Sequence, residues 1–294
     1  STFGISESNS NNALFTIEFD TISYPIIFDY NYVIIKITID EKSYFLDATN
    51  KFLPFGEVPV KALNGEARVL DFKNGSYWEL LKPKYRSSIN TTLRVVLNKE
   101  EELVGNLMIR RTGYYAINKR QEISLIGTDK YVDEYESNYT DTEIEDYKLT
   151  NEKNLEKSLI EVFKIKILNE EGKSNKIRIN PILFNQLQEN PFKLKNRQYP
   201  VDFAYTRKKN YSINLTIPEE YNITSIPKNV AIALPNKGGT FIYKTTKKDN
   251  TINVYSRLSI NKRMFSNEDY EALKEFYKQI IISENSDIII EKKS

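Results

Sequence analysis

Apolar positions along the chain recur mostly with a period of two, in short runs broken by Asn, Gly and Pro, which is the pattern of half-buried β-strands. In 31–39, Tyr32, Ile34 and Lys36 fall on one face and Val33, Ile35, Ile37 and Ile39 on the other. Asp40-Glu41-Lys42 then turns the chain into a second short strand, Ser43 to Asp47, and both strands of this hairpin are expected to be largely buried. A second hairpin is predicted from 90–97 and 103–110, joined by Asn98-Lys99-Glu100-Glu101-Glu102. The same pattern predicts strands at 114–126, 142–149, 158–168 and 176–180. It continues beyond Pro200 at 200–206, 211–217, 230–234, 240–246 and 251–261, with Lys237-Gly238-Gly239-Thr240 as a hairpin turn. Two segments change period. Residues 128–137 place Tyr131, Val132 and Tyr135 on one side of a short helix. Residues 267–282 place Tyr270, Leu273, Tyr277, Ile280 and Ile281 in a helical stripe, with Ser266 as N-cap and Asp269 at the third position. A final strand is expected at 287–291. The fold class is therefore mainly β, with a C-terminal helix.

A chain of 294 residues has room for more than one domain. Lys82-Pro83-Lys84 and the stretch 185–200, with Pro191 and Pro200, are the natural junctions. They divide the chain into 1–84, 85–188 and 189–294, and the regular strand spacing in the last two predicts a β-sandwich-like region in each. With 40% hydrophobic and 12% aromatic residues the composition is that of a folded protein. Lys and Arg (42) nearly balance Asp and Glu (40), a net charge of only +2 that argues against nucleic acid as a partner. No apolar run is long enough for a transmembrane segment. The sequence contains no Cys and no His, which within these residues excludes disulfides, thiolate metal sites, a cysteine nucleophile and an imidazole base.

Other clusters have ordinary readings. The acidic runs at Glu100-Glu101-Glu102, 129–136 and 143–146 lack the spacing and central Gly of a calcium loop and read as solvated faces, so no metal and no cofactor are expected. Lys193, Lys195, Arg197, Arg207, Lys208 and Lys209 interleave with Phe192, Tyr199, Phe203 and Tyr205, as strands with one wet face do, and Asp202 is placed to pair with Arg197. Trp78, the single tryptophan, is the candidate contact for a glycan ligand.

The first hairpin carries a resemblance. Tyr30-Asn31-Tyr32-Val33-Ile34, Tyr44-Phe45-Leu46-Asp47-Ala48-Thr49, Leu53-Pro54-Phe55-Gly56 and Leu63-Asn64-Gly65 resemble the C-terminal half of a transglutaminase-like core, in the version found in extracytoplasmic proteins of Gram-negative bacteria. Asn190-Pro191-Phe192, the run Arg197 to Phe203 and the ending Tyr270 to Lys292 resemble the C-terminal β-rich domain of unknown function found with it. The resemblance implies a partial transglutaminase-like (α+β) segment over 1–84, followed by the two sandwich-like regions. It also implies a Cys–His–Asp triad. Asp47 matches the Asp, Tyr32 stands where the His belongs, and the Cys would lie upstream. A phenol, which ordinarily ionises near pH 10, does not replace a base that exchanges protons near neutrality. The residues thus point to a non-catalytic pseudoenzyme, a protein-binding or scaffold subunit in the periplasm or cell envelope. Its expected partner is another protein or an upstream segment of the same precursor. Two alternatives stand beside this reading: the C-terminal part of a longer, active transglutaminase-like amidase or cysteine peptidase, and a glycan-binding module. For Asp47 the local reading is a carboxylate that caps the next turn, with the Tyr32 hydroxyl donating to it.

Overall fold

The computed structural model describes residues 32–63, 65–71, 73–168 and 174–293, together with the backbone of 12–16. Tyr30, Asn31 and Asn64 lie outside the described residues. The chain forms two compact units, one of residues 1–86 with 153–157, the other of 87–152 with 158–294.

In the first unit, β1 (Asn12–Thr16), β2 (Tyr32–Ile39), β3 (Lys42–Leu46), β4 (Glu66–Asp71) and β5 (Tyr77–Leu80) make an antiparallel sheet in the order β3-β2-β1-β4-β5. The predicted β2–β3 hairpin is present, turning through Asp40 and Glu41, both at positive φ (46° and 63°). Its burial differs from expectation. Ile34 and Lys36 are covered, whereas Val33 (51% exposed), Ile35 (52%) and Ile39 (46%) are open to solvent, with Ile37 alone buried on that side. Lys36 is buried because it has partners: Nζ forms an ion pair with Glu79 and donates to Tyr77 Oη at 2.9 Å. Burial alone would lower its pKa, but the bonds to Glu79 and Tyr77 outweigh it and raise the pKa above the ordinary lysine value. Lys36 sits on β2 and its partners on β5, with β1 and β4 between. Strands lie about 4.8 Å apart, so a lysine spans that gap only if the sheet coils strongly. Glu57, also buried, accepts from the backbone N–H of Lys84 (3.1 Å) and Tyr85 (3.0 Å) and so fastens the end of the unit to the loop after β3. Glu156 ties 153–157 to the same unit, accepting from Phe55 N at 3.1 Å and bonding to the Tyr85 hydroxyl.

The second unit begins with β6 (Ser87–Leu97) and β7 (Leu103–Thr112), then α1 (Tyr114–Ile126), α2 (Thr128–Ser137), β8 (Thr142–Thr150), β9 (Leu159–Ile167) and β10 (Lys176–Ile179). It continues with β11 (Val201–Asp202), β12 (Arg207–Thr216), β13 (Tyr221–Ser225), β14 (Val230–Ala233), β15 (Gly239–Lys248), β16 (Thr251–Ile260), β17 (Met264–Phe265), α3 (Tyr270–Glu284) and β18 (Ile288–Lys292). The mainly β class is as the sequence predicts. The division into two sandwich-like regions is replaced by one eight-stranded sheet, β14-β15-β16-β12-β6-β7-β9-β8, which takes strands from both. The parallel pairing of β6 with β12, Ser87 opposite Arg207 through Val96 opposite Thr216, joins the halves. Periodicity shows which residues are strands but not which strands meet, and the parallel seam lies between segments 120 residues apart.

One face of the sheet is apolar and buried (Leu93, Leu107, Phe163, Ile213, Val254) and the other is polar, with Asn90, Asn210 and Arg257 joined by hydrogen bonds. The apolar side is covered by the helices, whose Ile123, Tyr135, Leu273 and Ile280 enter the same core, and by the small sheets β10-β18-β13 and β11-β17. The helix α1 stands where strands were expected at 114–126. Tyr114, Ile117 and Ile123 are its buried stripe, but the position that completes the stripe is Arg120, which breaks the apolar pattern. Arg120 is buried because Nε and an Nη donate to the carbonyls of Glu152 and Asn151, both at 3.0 Å. The helix α3 is where it was predicted, but Asp269 rather than Ser266 is its N-cap, and Asp269 Oδ2 accepts from Ser266 N at 3.2 Å. Glu101, read as part of a solvated run, is buried, accepting from Tyr221 Oη (2.7 Å) and Ser174 N (3.1 Å). Asp202 pairs with Arg263 (2.6 Å) instead of Arg197, because β11 lies against β17 and brings Arg263 alongside. No helix among the described residues is long and apolar enough to cross a membrane.

Candidate functional site

The residues that carry the resemblance meet at the open end of the β2–β3 hairpin. Tyr32 begins β2 and Asp47 follows β3, so antiparallel pairing carries the two side chains to one end of the sheet. Tyr32 Oη donates to Asp47 Oδ2 at 2.5 Å. Thr49 Oγ1 lies 2.8 Å from Tyr32 Oη, and Thr49 N donates to Asp47 Oδ1 at 2.8 Å, the capping turn read from the sequence. The Lys61 ammonium stands over the Tyr32 ring, 4.0 Å from its centroid. Partial burial opposes ionisation of Asp47. The Tyr32 hydroxyl, the N–H and hydroxyl of Thr49 and the charge of Lys61 together prevail and hold the carboxyl below the ordinary aspartate range.

Both carboxylate oxygens of Asp47 are engaged, and among the described residues the protic side chains that act on it are a phenol, an alcohol and an ammonium. Such a cluster fixes a turn and orients a carboxylate. It offers no group suited to take up and return a proton near neutrality. Removing the hydroxyl in Tyr32→Phe is expected to lower the stability of the first unit by about 1 kcal/mol at pH 7. Trp78 lies in this unit, so its fluorescence during urea unfolding measures the change. A folded carboxyl with a lowered pKa contributes stability that is complete above its unfolded pKa and is lost as pH falls through the folded value. The difference between wild type and Tyr32→Phe should therefore shrink below roughly pH 4.

Trp78 is half-buried on β5, opposite Arg68 on β4. The Arg68 guanidinium sits 5.3 Å from the indole and also donates to Ser76 Oγ at 2.5 Å, so one face of the ring is already occupied. Trp78 is not brought to Tyr32 and Asp47 by any contact between them. The basic stretch is divided. Lys193, Lys195 and Arg197 are on the surface, whereas Arg207 and Lys209 turn toward the helix-covered side of the large sheet, where a cavity of about 430 Å³ lies. The Lys36–Glu79–Tyr77 group and the buried Glu57 had no signature in the sequence, because their partners are far away along the chain.

Comparison with known proteins adds a family for the C-terminal part. Residues 175–290 match a domain family. It is described as "Domain of Unknown Function with solved-structure structure (DUF3858)", and the matched segment runs from β10 into β18, including α3. No curated protein matches the chain. Among solved structures, the chain is similar to a Parabacteroides distasonis protein described as a "putative protease", at 12% identity and a TM-score of 0.46. That alignment covers 96% of this chain and 40% of the other, so the chain spans well under half the length of that protein.

Proposed function

We propose that this chain is a non-catalytic, protein-binding part of a cell-envelope or periplasmic assembly, in which the transglutaminase-like hairpin serves as a scaffold. The observation that carries the reading is the open apolar row on β2, Val33, Ile35 and Ile39, each about half exposed. Burying a Val or Ile side chain contributes roughly 1.5–3 kcal/mol, so a partner covering this row gains several kcal/mol from three residues. Exposed apolar rows on a sheet face are characteristic of association surfaces. Two features support a binding role over chemistry. The hairpin end is closed by the Tyr32–Asp47–Thr49 hydrogen bonds, and the sequence contains neither Cys nor His. The extracytoplasmic setting rests on the resemblance of the first hairpin, and the absence of thiols suits an oxidising compartment.

The test is the size of the protein extracted from its native envelope. Wild type is expected to elute as a complex larger than the free chain. The Val33→Lys/Ile35→Glu double variant, folded by circular dichroism, is expected to elute as the free chain. If both elute alike, the row on β2 is not a binding surface.

A further inference from the structure

The cavity on the covered side of the large sheet combines an apolar interior with cations that lack an anionic partner. Its floor is the inner face of β6, β12 and β16. Its walls are α3 and the segment between β10 and β11, including Phe184 and Phe192. At about 430 Å³ it falls within the size range of small-molecule sites. The alternation of β12 turns Arg207, Lys209 and Tyr211 to this side. Arg207 is half-buried with its guanidinium 4.5 Å from the Phe203 ring centroid, and Lys209 keeps solvent-exposed surface, so the charged end is reachable from solvent.

Neither cation has a carboxylate within ion-pairing distance among the described residues. Two acids line the cavity and both are already engaged: Asp202 pairs with Arg263 at 2.6 Å, and Glu284, at the end of α3, accepts from Leu187 N at 3.1 Å through Oε2 and from Ser256 Oγ at 3.2 Å through Oε1. A third donor is idle as well, since the Tyr115 hydroxyl is buried and unbonded. Burial pushes that hydroxyl up to about 12 against the pull of Arg207, so the guanidinium stands close to Tyr115. Burial and the charge of Arg207 hold Lys209 below the ordinary lysine value, against the attraction of Glu284. Like charges two positions apart on one strand face repel each other.

We propose that this cavity binds a small organic carboxylate with an apolar or aromatic body, its carboxylate held by Arg207, Lys209 and the Tyr115 hydroxyl. A planar guanidinium with an adjacent ammonium and hydroxyl suits the two oxygens of a carboxylate. The aromatic and aliphatic walls, among them Phe184, Phe192, Leu258 and Ile280, suit the body. The charge present favours a monoanion. Asp202 is neutralised by Arg263, so Arg207, Lys209 and Glu284 leave one positive charge to neutralise, and a dianionic phosphate would set its second charge against Glu284. The site lies within the second unit, and it stands or falls independently of the role proposed for β2.

Methyl NMR titration of the full chain tests this with 3-phenylpropionate, its neutral amide and phenyl phosphate. The acid is expected to shift the methyls of Ile182, Leu187, Leu258 and Ile280 saturably, and to bind at least roughly tenfold more tightly than the amide or the phosphate. Arg207→Gln and Lys209→Gln are each expected to remove that preference while leaving the weak binding of the amide. If either variant fails to fold, the acid–amide contrast in the wild type still decides. Equal binding of acid and amide, shifts confined to other methyls, or no shift with acid up to about 10 mM overturns the proposal. Tighter binding of phenyl phosphate overturns the choice of a monoanion.

Discussion

Arg111→Met is expected to destabilise the second unit by about 3–5 kcal/mol, the cost of leaving a buried carboxylate without its counter-charge. Arg111 on β7 and Glu161 on β9 form an ion pair with side chains 7% and 0% exposed. Tyr131 Oη adds a hydrogen bond to Glu161 at 2.6 Å, and Tyr135 stacks on Phe163 beside it, with ring centroids 4.7 Å apart. The pair is held against an aromatic layer with both side chains more than nine-tenths buried, so each charge loses its nearest counter-charge once the other is gone. The account makes a second, sharper statement. Arg111→Met combined with Glu161→Leu removes both charges and is expected to recover most of the loss, because burying the pair cost desolvation in the first place. Chemical denaturation followed by far-UV circular dichroism reads both effects. Trp78, the chain's single tryptophan, reports the first unit separately. A loss below about 1 kcal/mol for Arg111→Met would mean that Glu161 is solvated or protonated in the folded protein.

Gly105→Ala is the second large effect, expected to cost about 3 kcal/mol through overpacking at the centre of the sheet. Gly105 lies in β7 opposite Val95 of β6 and Ile165 of β9. A Cβ placed there would stand 1.9 Å from the carbonyl oxygen of Arg94 and 2.9 Å from Val95 Cα. These are backbone atoms of the neighbouring strand, so no rotamer change relieves the clash and the β6–β7 pairing itself must open. Because β6 also carries the parallel seam to β12, the disturbance is expected to reach the C-terminal half of the sheet. Faster amide exchange in both β7 and β12 measures it. Exchange unchanged in β12 would mean that the seam does not transmit the distortion.

Residue pattern made the individual elements legible where one periodicity ran without interruption. The β2–β3 and β6–β7 hairpins, α2, α3 and the last strand follow directly from alternation, helical stripes and turn residues. The pattern failed where a polar residue was buried with distant partners. Arg120 disguised α1 as a strand, since its guanidinium is satisfied by carbonyls about 30 residues onward. Glu101 looked solvated because its partners, Tyr221 and Ser174, are equally remote. Strand order was hidden for the same reason, as β6 and β12 meet across more than a hundred residues. At the hairpin end, the Tyr32–Asp47 bond could be anticipated because antiparallel pairing alone brings the two residues together. The cavity could not. Arg207 and Lys209 stood out in the sequence as a basic run, but their shared inward face and the engagement of Glu284 exist only once α3 packs on the sheet.

The central proposal, that the first hairpin binds rather than catalyses, is tested most directly on the natural protein isolated from its source. The assay is thiol-dependent amide hydrolysis and transamidation, measured with and without iodoacetamide and compared with an Asp47→Asn variant. The account expects no activity above the uncatalysed background in any of these samples. Turnover abolished both by iodoacetamide and by Asp47→Asn would contradict it, because Asp47 would then be orienting a catalytic base instead of closing a turn with Tyr32 and Thr49.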